Sequence, residues 1–287
     1  MLPFWLSIGA LSLVQGAVVA LPGTLSIPWL ERRRCRMWAA IPPLSVVAFV
    51  LIARAAERAS AQSLTYLALV AVPVLAALAL GLLGRGARPR LALVVPALFA
   101  LAWADRGGLA GHAAALALSA LSCVALGVLL AAVTPLRWLA AGIVLMACAD
   151  TALVASELLQ RPNEALNVAH PAAGLPRLQA EALGSAAMGY GDLFVAGLLG
   201  GLLACGWPAG RSRGAARILQ LRAAVLVAGL ALAFDLLFFA VDELPATVPV
   251  ALVLVGLAQW RAEVTRSQTH PDPNAIVRAE GFEPPRA

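Results

Sequence analysis

Two acidic residues stand inside long apolar runs: Asp150, in the stretch from 136 to 159, and Asp192, in the stretch from 183 to 207. A charged Asp at the centre of a bilayer costs roughly 2.5–3.5 kcal/mol on insertion scales, so such a residue usually marks an ion path, a proton relay or catalysis. Two carboxylates that meet in a low-dielectric site hold a single proton between them over a wide pH range. One can then activate a water while the other protonates or polarises a carbonyl. The plainer alternative is that each acid hydrogen-bonds a neighbouring Ser, Thr or Arg and only holds helices together. Asp192 closes the sequence Gly189-Tyr190-Gly191-Asp192, whose glycines leave room for a neighbouring backbone or a substrate.

The other candidates are weaker. Asp235 is expected near a membrane interface, with Asp242 and Glu243 close behind it, and Glu157 lies near the end of its run; all four read as acids reached by water. His112, His170 and His270 are scattered, and Cys35, Cys123, Cys148 and Cys205 form no C-x-x-C pair, so no metal or redox centre is indicated. No cofactor is implied, because a carboxylate pair needs only water.

The elements that must position these acids follow from composition. Of 287 residues, 61% are hydrophobic and 13% charged, which is too apolar for a soluble globular protein. The expectation is an all-α, polytopic membrane protein with about nine transmembrane helices, near 3–24, 37–54, 63–84, 89–104, 112–133, 136–159, 183–207, 217–241 and 245–262. These divide into an N-terminal five-helix region (1–133), a four-helix region carrying both acids (134–263) and a polar, Pro-rich, disordered tail (264–287). The tail ends in Glu280-Gly281-Phe282-Glu283-Pro284-Pro285, which matches one reading frame of the T-arm of a transfer-RNA gene, and it is assigned no function.

Basic charge orients the spans. All 21 basic residues are Arg, and they crowd the loops after the odd-numbered spans, as in Arg32, Arg33, Arg34 and Arg36, or Arg85, Arg88 and Arg90. Positive charge inside then puts the N-terminus outside and the C-terminus in the cytoplasm, and the same distribution argues against nucleic acid as a partner. The seven Trp residues fall near the expected span ends, where an aromatic belt would place them. Counting along the spans puts Asp150 roughly 21 Å and Asp192 about 16 Å from the inner face of a ~30 Å core, close enough in depth for the two acids to meet.

An Asp in the sixth span, Gly-x-Gly-Asp in the seventh and Leu244-Pro245-Ala246-Thr247-Val248-Pro249 at the opening of the ninth together resemble the signal peptide peptidase and presenilin family of intramembrane aspartyl proteases. The resemblance runs from about Leu136 to Trp260; the earlier spans contribute only their number. It implies an aspartic endopeptidase in which Asp150 and Asp192 are the catalytic pair, Gly189, Tyr190 and Gly191 support the motif, and Pro245, Ala246 and Thr247 border the substrate. Substrates would be single-span membrane proteins or residual signal peptides, and the N-outside orientation is that of signal peptide peptidases. Ala149 stands where the family has Tyr, and Thr247 where it has Leu. Independently of the family, Pro245 and Pro249 limit hydrogen bonding at the start of the ninth span, so exposed backbone there can pair with an unwound peptide. The ordinary alternative is that Pro simply opens a helix.

Three other readings stay open. Type IV prepilin peptidases also carry Gly-x-Gly-Asp, but typically with a Lys where Phe194 stands and with a longer spacing between the two acids. A transporter or channel could use Asp150 and Asp192 as a proton relay. A membrane scaffold would use them for stability alone.

Overall fold

Long apolar runs in a chain with few charges close their backbone hydrogen bonds locally, and the result is a helical bundle. The computed structural model describes residues 4–24, 32–55, 57–158, 168–169, 171, 174–178, 180–184, 186–208, 213–239 and 245–269. Among these, nine α-helices follow in chain order: α1 (Phe4–Ala20), α2 (Ile41–Ala55), α3 (Glu57–Leu78), α4 (Val94–Ala104), α5 (Leu109–Val133), α6 (Leu136–Ala155), α7 (Tyr190–Ala204), α8 (Arg213–Asp235) and α9 (Val248–Thr269). Short 3-10 turns at Arg36–Ala40 and Pro89–Leu93 lead into α2 and α4, and a π turn at Ala79–Leu83 extends α3.

Among the described residues, four segments are long and apolar enough to cross a membrane: Ala61–Leu83, Leu109–Val133, Leu136–Ala155 and Gly214–Asp235. Phe4–Ala20, Arg36–Ile52, Pro89–Ala104 and Tyr190–Ala204 are apolar but shorter. Length and composition thus support four spanning helices where about nine were expected. The outer surface is apolar in helical stripes, as along α3 at Leu67, Val70, Val74 and Leu78.

Two expectations are corrected. The fold is not purely helical: Ala180–Leu183 (β1) and Ala186–Gly189 (β2) pair antiparallel, with Leu183 opposite Ala186 and Ala180 opposite Gly189. Gly184 in the connection has φ +63°, a conformation that suits glycine. The seventh apolar run therefore enters as a hairpin, and its helix starts only at Tyr190. In addition, α9 continues to Thr269, beyond residue 264 where disorder was expected; residues 270–287 lie outside the described part.

Although short, α7 is the centre of the bundle. Every residue from Leu193 to Ala204 is buried, against α5, α1, α8, α6 and α9. Glycines allow this. A Cβ on Gly197 would lie 2.3 Å from the Cys123 carbonyl, one on Gly201 2.4 Å from the Gly127 carbonyl, and one on Gly200 2.5 Å from the Val19 carbonyl. This is close backbone packing through small residues, the usual device where lipid leaves no hydrophobic force between helices. α1 in turn lies along α8, with Gly16 against Ala224 and Ala228.

Arg34, Arg85 and Arg217 mark one end of the bundle. Arg34 Nε donates to the Ala132 carbonyl at the end of α5, and Arg217 donates to the Ala20 carbonyl at the end of α1. Between them Gln220 is fully buried. Its Nε2 donates to the carbonyls of Val19, Pro22 and Gly200, and its Oε1 accepts from Arg85. Every polar atom of that amide has a partner, as burial demands.

Candidate functional site

The opposite end of the bundle carries the acids. Asp150 stands near the end of α6, half-buried, and Asp192 in the first turn of α7, also half-buried. They lie within electrostatic reach of one another. Among the described residues no hydrogen bond joins them; each has its own partner.

For Asp150 that partner is Thr247, whose Oγ1 donates to Oδ2 at 2.7 Å. Thr247 is buried and immediately precedes α9. Its carbonyl accepts from Ala251, the first turn bond of that helix, at 3.2 Å. A Thr in this capping place normally turns its hydroxyl back onto its own helix. Here the hydroxyl points across to α6 instead. Val248 N donates to the Pro245 carbonyl, so Pro245, Ala246 and Thr247 form a tight lead-in ahead of the helix and not its first turn. The structure thus brings Thr247 of the Pro-Ala-Thr sequence into direct contact with Asp150.

The partner of Asp192 is local. Its Oδ2 accepts the Gly189 N–H at 3.1 Å, the return half of a capping box; Gly189 has no side chain to complete the other half. Asp192 was expected well inside a span, yet it is the third residue of α7, because β2 replaces the turns that would have preceded it. The motif glycines also differ from expectation. A Cβ on Gly189 would sit 3.2 Å from the Asp192 carboxylate itself, whereas one on Gly191 would meet only Met146 Cε, at 3.7 Å. Only Gly189 is closely crowded. Oδ1 of each acid has no hydrogen-bond partner among the described residues, so each carboxylate is held there by one oxygen.

Tyr190 is anchored away from the acids. Ser122 Oγ donates to the Ser119 carbonyl, so the 2.7 Å contact between Ser122 and Tyr190 has the phenol as donor. This ties the start of α7 to α5.

Asp235 comes nearer than the sequence suggests. At the end of α8, half-buried, it lies within electrostatic reach of Asp192, and Ser12 Oγ of α1 lies 2.9 Å from its Oδ2. Asp242 and Glu243 lie outside the described residues. Among the described residues no three His, Cys, Asp or Glu side chains converge as an ion site would require.

Sequence reasoning missed Ser12, Gln15 and Ser122. Gln15 is wholly buried in α1, and its Nε2 donates to the Ala246 carbonyl at 3.0 Å. An amide inside an otherwise apolar run was the available signal, since a buried polar group must find a partner. No protein-family model, curated protein or solved structure matches the chain.

Proposed function

We propose that this chain is a multi-pass membrane aspartyl endopeptidase, similar to signal peptide peptidases, in which Asp150 and Asp192 hydrolyse peptide bonds of transmembrane segments. The observation that carries this reading is the hydrogen bond from Thr247 to Asp150. It joins two of the three sequence features behind the resemblance, and the third, Gly-x-Gly-Asp, supplies the acid that interacts with Asp150 across the helix pair. One oxygen of each carboxylate is oriented by a hydrogen bond, and the other has no hydrogen-bond partner among the described residues. That is a workable arrangement for one acid to activate a water and the other to protonate the peptide.

A substrate helix must unwind before its amides are accessible. One feature beside the acids suits an extended strand: the β1–β2 hairpin, whose strands pair only with each other among the described residues. Substrates are single-span segments, such as residual signal peptides. All nine helices cross or enter the bilayer, with the Arg34–Arg85–Arg217 end in the cytoplasm and the acids toward the outer half.

The test is reconstitution with labelled transmembrane peptides. Wild type should release two products whose masses locate the cut, and Asp150→Asn and Asp192→Asn should lower the rate at least a hundredfold with folding unchanged. Full activity in either variant would sink the assignment. A second reading is favoured by the Ser12–Asp235 contact, which adds a third acid near the pair: a proton relay. It requires acid-dependent flux in proteoliposomes and no product peptides.

A further inference from the structure

Ser12 and Gln15 lie three residues apart on α1 and so share a face of that helix. Both act on the same connection from opposite sides. Ser12 contacts Asp235, the last residue of α8, and Gln15 donates to the carbonyl of Ala246, just before α9. α1 therefore grips both ends of the α8–α9 connection. Ala246 is also the residue next to Thr247, whose hydroxyl holds Asp150.

The orientation of Gln15 is determined by chemistry. The Ala246 carbonyl can only accept, so the amide nitrogen must face it. Oε1 is then directed elsewhere, buried and without a hydrogen-bond donor among the described residues. A wholly buried amide with one side unmatched is a poor stabilising device, because an unsatisfied buried acceptor costs about 1–3 kcal/mol. The group is better accounted for by what its nitrogen holds.

We infer that Gln15 is a positioning residue for the Asp150 site: by fixing the Ala246 peptide it keeps the Thr247 hydroxyl on the carboxylate. The chain of contacts runs from α1 through the α9 lead-in to Asp150 on α6, and Gln15 itself hydrogen-bonds neither acid. The inference extends the protease reading and rests on it for its kinetic consequence, but its geometric content stands apart.

Two measurements on the full chain test it. The first is kinetic, with the labelled peptides. Gln15→Met keeps the approximate shape and removes the donor. It should lower kcat about tenfold while KM stays within about twofold. Thr247→Val should do the same, and Gln15→Met with Thr247→Val should be no slower than the slower single variant, since both break one chain of contacts. Independent, multiplying losses would overturn the inference, as would an unchanged kcat in folded Gln15→Met.

The second measurement needs no activity. In a chain with Cys35, Cys123, Cys148 and Cys205 replaced by Ala, Asp150→Cys and Thr247→Cys should cross-link readily in native membranes. Adding Gln15→Met should slow the cross-link several-fold. Equal rates with and without Gln15 overturn the positioning role even if the chain cleaves nothing. A wild type that cleaves nothing, with the cross-link still dependent on Gln15, overturns only the protease reading.

Discussion

Thr247 divides its polar groups between two helices. The carbonyl starts α9 and the hydroxyl serves α6, so Thr247 makes a contact with Asp150 that a Leu in its place could not. The motif glycines are equally unlike one another. Gly189 has the Asp192 carboxylate against it, while Gly191 has spare room beside Met146. Gly191→Ala should therefore leave thermal stability within about 0.5 kcal/mol of wild type, as a substitution away from close contacts does. If the space belongs to the substrate, the same variant should lose most cleavage. Gly189→Ala should crowd the carboxylate and reduce both. Thermal midpoints in detergent beside peptide cleavage rates separate the two cases, and equal behaviour of the two variants would contradict the geometry. Asp150, Asp192 and the Pro-Ala-Thr lead-in were all legible as a constellation from residue type and order. Gln15 was not, because its contact with Ala246 joins positions 231 residues apart, and nothing local announces a pairing of that range.

Helix positions were well marked by the apolar runs: α5 and α6 begin and end within a few residues of expectation, whereas α8 ends at Asp235, short of the expected 241. The β1–β2 hairpin was hidden for a physical reason. Ala180 to Met188 is small and mostly apolar, with no alternation, and an apolar run without period fits a strand as well as a helix. Gly184 and Gly189 were the punctuation that distinguishes them. The glycines of α7 beyond the motif carry a different load, since they are where α5 and α1 approach it. Gly197→Ala would force a Cβ to 2.3 Å from the Cys123 carbonyl, and should cost roughly 1–3 kcal/mol by overpacking. Gly229→Ala on α8 meets no atom within 4 Å and should be neutral or slightly stabilising, by up to about 1 kcal/mol of helix propensity. Comparing their thermal midpoints checks the α5–α7 contact directly.

Across the whole molecule the two ends differ in chemistry. Arg34, Arg85, Arg217 and the satisfied amide of Gln220 gather at one, and Asp150, Asp192 and Asp235 at the other. Reporter fusions after Thr269 and before Phe4 should accordingly report the cytoplasm and the exterior, respectively; the reverse result would invert the assignment of the acids to the outer half. The regions 1–133 and 134–263, separable by eye in the sequence, interlock in space, because α7 is buried by α5 and α1 as much as by its neighbours in the chain. The burial of α7 has one more result. A helix of 15 residues spans about 22 Å, short of a ~30 Å hydrocarbon core. A lipid-facing helix of that length would thin the membrane around it or tilt its neighbours. Enclosed from Leu193 to Ala204, α7 is held by protein along that length, so the depth of Asp192 at its start is insulated from the thickness of whichever membrane holds the chain.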